Sequence, residues 1–211
     1  MLYIAIGALG IFVVHLCDPA AIRKLPLVKP FTWAVGVGLI IYAIVMGCVS
    51  PDKIQLPAWT VWFGWILLTA SLLLIVYSLF INLPFRKTYL AKGVGDKLVT
   101  SGLYALVRHP GLMWTILFVI SLILVSSSRL VLLASPIFIA LDIVVILLQD
   151  RFFFPQMFSD YKKYQRETPM LIPNRRSIRL FLDSLKRPKI EWAVRFDSDL
   201  REGGRNNADN S

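Results

Sequence analysis

Two short stretches hold the side chains able to do chemistry. The first is Asp96-Lys97-Leu98-Val99-Thr100-Ser101-Gly102-Leu103-Tyr104-Ala105-Leu106-Val107-Arg108-His109-Pro110. It sets a guanidinium and an imidazole directly ahead of a proline. Proline suits the first position of a helix, where its missing N–H would have no partner in any case. Arg108 and His109 would then stand beside the free N–H groups of a helix start, a place that binds carboxylate or phosphate. The same residues also fit a basic anchor that only stops a helix at a membrane face. The second stretch is Gln149-Asp150-Arg151, followed by Tyr161-Lys162-Lys163-Tyr164 and Thr168-Pro169-Met170-Leu171-Ile172-Pro173. Phe153, Met157, Tyr161 and Tyr164 recur at helical spacing, which predicts a face lying on the bilayer interface or an aromatic belt.

The elements that must position these groups are apolar. Hydrophobic residues make up 56% of the 211 and charged residues only 17%, with a mean hydropathy of +0.65. A soluble domain averages about 45–50% apolar and about 25% charged. Residues 54–85 carry no charge, and residues 109–149 carry only Arg129 and Asp142. A hydrocarbon core about 30 Å thick needs about 20 apolar residues of helix. The composition therefore excludes a soluble enzyme, a disordered chain and a disulfide scaffold. It predicts an all-α, polytopic membrane protein with about five spans, at 2–17, 31–49, 58–83, 110–127 and 130–148. The first run has no basic residue ahead of it, so it reads as a retained helix and not a signal peptide.

Charge placement gives the expected topology. The connection at 18–30 holds Arg23, Lys24 and Lys29, and the connection at 84–108 holds Arg86, Lys87, Lys92, Lys97 and Arg108. The connections near Asp52 and Arg129 are almost neutral. This alternation predicts an outer N-terminus and a cytosolic C-terminus, with both chemistry-bearing stretches on the cytosolic face. Of the 23 Lys and Arg, 13 lie at or beyond Arg151 among acidic residues, a solvated segment near anionic lipid with no nucleic-acid footprint. Residues 1–57 read as an N-terminal hairpin of two spans and 58–173 as a membrane core. Residues 174–211 read as a basic interfacial helix, with apolar residues at 178, 181, 182 and 185, and a disordered tail. Cys17 and Cys48 have no metal-ligand spacing and read as packing residues.

Two further groups are polar within apolar runs. Asp142 costs roughly 2.5–3.5 kcal/mol in a span, so it must face the protein interior or be protonated. It stands two turns before Gln149 and would either line the deep wall of the same site or hydrogen-bond Ser121 or Thr115. His15, three residues before Asp18, reads as half of a polar pair at a helix end.

Gly102-x-Tyr104 before Arg108-His109-Pro110, then one span, an acidic pair, Tyr161-x-x-Tyr164 and Pro169-x-x-x-Pro173 resembles the isoprenylcysteine carboxyl methyltransferase superfamily, which includes phospholipid methyltransferases. The resemblance covers about residues 60–173. It implies a membrane methyltransferase core and S-adenosylmethionine held in a cytosolic pocket. By position, the cofactor would touch Lys97, Leu98, Val99, Tyr104, His109, Pro110, Gly111, Leu112 and Gln149. Arg108 and Asp150 would be catalytic. The acceptor would be a lipophilic molecule entering from the bilayer, a prenylcysteine carboxylate or a lipid headgroup. The implied location is the plasma membrane of a prokaryote or the endoplasmic reticulum of a eukaryote. The chain departs from the family pattern at Leu112 (usually Tyr), Trp114 (Gly), Gln149 and Asp150 (paired Glu) and Asp96 (His). NADPH-dependent sterol reductases resemble the same Arg-His-Pro pattern but continue differently after it. A non-catalytic member of the same fold is the remaining alternative. Reporter fusions at Ser211 and beside Asp52 should report opposite sides of the membrane, and both on one side would contradict the alternation.

Overall fold

Charge-free apolar runs fold as helices because, without water, backbone N–H and C=O groups must pair within the segment. The computed structural model describes residues 1–94 and 97–186, and all regular elements among them are helical. Asp96 and the tail beyond Lys186 lie outside the described residues.

The breaks between helices follow from the sequence. α1 (Leu2–His15) gives way to α2 (Cys17–Ile22) where Pro19 has no N–H to offer the His15 carbonyl. α3 spans Val28–Cys48. α4 (Trp59–Val76) continues through a π-helical turn, Tyr77–Asn82, and ends at Leu83, whose extended backbone is imposed by Pro84. A second π turn, Arg86–Leu90, and the short α5 (Leu103–Leu106) lead to α6 (Pro110–Ser126), with Pro110 in its first turn. α7 (Arg129–Leu148) is capped by Ser128 and contains Pro136. The Ser135 hydroxyl donates to the Leu132 carbonyl (2.8 Å), which a proline N–H cannot serve. A third π turn, Gln149–Phe153, joins α7 to α8 (Phe154–Met157); α9 (Tyr161–Glu167) and α10 (Arg175–Lys186) follow.

Among the described residues, four helical stretches are long and apolar enough to cross a membrane: Leu2–Ile22, Val28–Cys48, Trp59–Asn82 and Arg129–Met157. The fifth expected span is the 17-residue α6, which at 1.5 Å per residue is about 26 Å long. The bundle buries small residues and exposes large apolar ones. Gly7, Gly10, Gly64, Ser71, Ser121 and Ala134 are buried, while Phe12, Trp62, Ile66, Leu73 and Val144 are exposed. That is the pattern of helices that meet through small residues and face lipid with their bulky ones.

Glycine contacts give the helix directions. Gly7 faces Ala43 and Phe138, Gly10 faces Ile40, and Gly36 faces Val14, so α1 and α3 are antiparallel. Gly64 faces Leu124 and Gly111 faces Leu79, so α4 and α6 are antiparallel too. At one end of the bundle the two short connections pair: Ile54 N–H donates to Ser127 O (2.8 Å) and Arg129 N–H to Asp52 O (3.0 Å). Among the described residues, the longer polar segments gather at the opposite end. There α10 packs on α5, and the Ser184 hydroxyl accepts from Gly102 N–H (3.1 Å).

A Cβ on Gly36 would run into the Val14 backbone, whereas one on Gly38 would meet open space. Gly36→Ala should therefore lower stability by about 1–3 kcal/mol, as overpacking does. Gly38→Ala should leave the detergent-solubilised melting temperature unchanged or slightly higher.

Candidate functional site

Pro110 pushes the residue before it out of helical geometry, and His109 and Val107 are both off the helix. The strand-like backbone so created pairs with a distant segment. Arg108 N–H donates to Pro169 O (2.9 Å) and His109 N–H to Met170 O (3.2 Å). The Thr168-Pro169-Met170 stretch thus binds the start of α6.

Side chains close the same join. Arg108 Nε and Nη2 donate to the two oxygens of Asp150 (2.8 and 3.0 Å), and Nη1 reaches the carbonyls of Gln165 and Thr168. Asp150 also accepts from the Tyr161 hydroxyl (2.6 Å) and Gln165 Nε2 (3.0 Å), and His109 Nε2 lies 3.4 Å away. Tyr164 donates to Tyr104 O (2.6 Å). Burial, the larger influence on Arg108, opposes its charge, but the Asp150 carboxylate outweighs it and holds the guanidinium above its usual value. Burial first, then Asp150, raises the Tyr161 phenol well above the ordinary range; burial alone dominates the rise at Tyr164. Both phenols stay neutral donors. This corrects the expectation of an interfacial aromatic face: Tyr161 and Tyr164 are buried, because their hydroxyls are needed inside.

A cavity of about 570 Å³ opens beside this join. It is lined by Lys97, Leu98, Val99, Tyr104, Arg108, His109, Pro110, Gly111, Leu112 and Gln149. Asp150 stands behind the wall, held by Arg108 and Tyr161. Successive helical residues point about 100° apart, so Gln149 points to α1 and α2, donating to Asp18 (2.7 Å) and lying 3.4 Å from His15, while Asp150 points to Arg108. Adjacent residues thus serve different neighbours.

The cavity has further polar lining. Asp142 is part of it, one of the two placements that its phase with Gln149 allows, and so are His15, Asp18 and Lys29, which their positions in the chain did not connect to it. α1 and α7 run parallel, bringing His15 Nε2 to 3.9 Å from Asp142. Asp142 thus faces His15, and neither Ser121 nor Thr115 is its partner; the Ser121 hydroxyl donates to Phe118 O (2.6 Å). Lys29, counted among the basic connections, is buried, with Nζ donating to Gly93 O (2.9 Å) and Ala91 O (3.2 Å). The signal for these residues was their presence in or beside apolar runs; which helices meet was not written locally.

Lipid-facing bulk, small-residue contacts and a cavity with a polar mouth define a helical membrane protein. The chain belongs to the family described as "Protein of unknown function (DUF1295)", which matches residues 24–168. That range holds Arg108, His109, Asp142 and Asp150, while His15 and Asp18 precede it. No curated protein and no solved structure matches the chain.

Removing one partner of a buried ion pair costs about 3–5 kcal/mol, and Arg108 and Asp150 are only 9% and 13% exposed. Asp150→Asn should therefore lower the melting temperature sharply, and Arg108→Lys should do so too because an ammonium cannot bond bidentately. Arg129→Ala, which breaks the exposed pair with Asp52, should change stability by at most about 1 kcal/mol.

Proposed function

We propose that this protein is an S-adenosylmethionine-dependent methyltransferase acting on a lipophilic acceptor, with five spans and its polar end in the cytosol. One observation carries the reading. Two segments some forty residues apart, Lys97 to Leu112 and Gln149, meet around one cavity at the polar end of the bundle. A volume of about 570 Å³ lies within the roughly 300–1,000 Å³ of small-molecule sites.

The residues present fit the cofactor. His109, at the start of α6, and Lys97 on the same lining suit a carboxylate, and Leu98, Val99, Phe154 and Phe158 offer apolar surface for a purine. When bound, S-adenosylmethionine supplies an electrophilic methyl open to in-line displacement. The protein's part is to bind, orient and exclude water. In this reading Arg108 and Asp150 act as positioning residues: their pair fixes His109 and ties the post-span segment over the cavity wall. The apolar reach of the cavity, through Ile11, Val37, Ala43 and Phe138 to Tyr3, suits the chain of an acceptor drawn from the bilayer. Leu112 is buried against this space, where the superfamily has tyrosine, and it makes the wall less polar.

Purified protein in detergent should bind labelled S-adenosylmethionine in preference to NADPH. His109→Ala should weaken that binding by about 1–3 kcal/mol, the cost of unpairing a buried polar group. Preference for NADPH would indicate a reductase. Folded, monodisperse protein that binds neither at millimolar concentration would indicate a non-catalytic member.

A further inference from the structure

The cavity has a second polar locus, deeper than the proposed cofactor mouth, to which the proposed function assigns no role. His15 and Asp18 come from α1 and α2, and Asp142 comes from α7. All three lie in segments apolar enough to cross a membrane. An ionisable residue there is costly and points to function when it faces a cavity.

The two carboxylates are not equivalent. Asp18 is buried and accepts from Gln149 Nε2 at 2.7 Å. Asp142 has no such support. Among the described residues no lysine or arginine pairs with it, and its polar neighbour is His15 Nε2 at 3.9 Å, beyond hydrogen-bond length. Gln149, 3.4 Å from His15 Nδ1, orients the ring so that its other nitrogen faces Asp142. Asp142 is thus a positioned, half-buried acceptor at the wall of an apolar shaft, with its nearest nitrogen, His15 Nε2, 3.9 Å away.

We infer that Asp142 is the anchor for the ammonium head of a lipophilic amine whose chain lies along the shaft between α1, α3 and α7. A carboxylate head would meet like charge there. From His15 to Tyr3 the shaft follows twelve residues of α1, about 18 Å at 1.5 Å per residue, enough for a single long chain. The inference deepens the proposed function by naming the acceptor class, and in that catalytic sense it rests on the methyltransferase reading. Binding of the amine does not require the cofactor.

The test is equilibrium binding of radiolabelled dodecylamine, dodecanol and laurate to the full-length protein in phosphatidylcholine nanodiscs, corrected with empty discs. Dodecylamine should bind saturably and laurate should not. Asp142→Asn should weaken dodecylamine binding by about 10- to 150-fold, the loss of a charged hydrogen bond of about 1.5–3 kcal/mol. Asp142→Glu, which keeps the charge, should retain most of the affinity. S-adenosylmethionine binding should be unchanged in both variants. Laurate binding equal to dodecylamine, or amine binding unaffected by Asp142→Asn, would overturn the inference. So would an equal loss of S-adenosylmethionine binding in Asp142→Asn, which would assign the carboxylate to the sulfonium. Wild-type protein that takes dodecylamine through Asp142 but no S-adenosylmethionine would support the anchor and remove the methyltransferase reading.

Discussion

The bidentate pair between Arg108 and Asp150 joins the start of α6 to the end of α7, and the cavity mouth depends on it. A guanidinium and a carboxylate at low exposure attract strongly, but each carries a desolvation cost that only further hydrogen bonds offset. Here those bonds come from Tyr161, Gln165 and the carbonyls of Gln165 and Thr168. The post-span segment is therefore drawn in by charge and hydrogen bonding more than by apolar burial. That suits a region at the edge of a bilayer, where apolar side chains have lipid as an equally good neighbour.

The bundle below the mouth follows another rule. Between apolar helices in lipid, close backbone approach and dispersion contacts hold the structure, so glycine, alanine and serine mark the contacts. Gly7, Gly10 and Gly36 let α1 lie against α3 closely enough that α1 also reaches α7. The depth at which His15 meets Asp142 is set by that packing. A polar pair inside the bundle is thus a consequence of where small residues allow two backbones to meet.

Much of the fold was legible because lipid leaves so few options. Charge-free runs, prolines at 19, 84 and 110, and basic connections fixed the helices and their breaks. α6 came out short because Pro110 and Ser127 bound it at both ends. The mouth was legible through Arg108-His109-Pro110, whose pre-proline geometry is local. The inward course of Tyr161 and Tyr164 was not, since an aromatic stripe reads the same on a membrane surface as around a buried carboxylate. The partners of Gln149 and Asp150 were also invisible, because they depend on which helices pack around the end of α7. His15 with Asp142 required knowing that α1 and α7 are parallel neighbours, a fact of three-dimensional packing.

The π turn at Gln149–Phe153 constrains how this chain can change over evolutionary time. Each residue added to or removed from a helix turns everything beyond it by about 100°. Asp142 and Gln149 are phased toward the shaft, Asp150 toward Arg108, and Tyr161 back onto Asp150, all within twenty residues of one continuous path. Substitutions here can be absorbed singly. Insertions and deletions cannot, because one step would unseat several of these partners together; descendants of this chain should vary in spelling across this stretch while keeping its length.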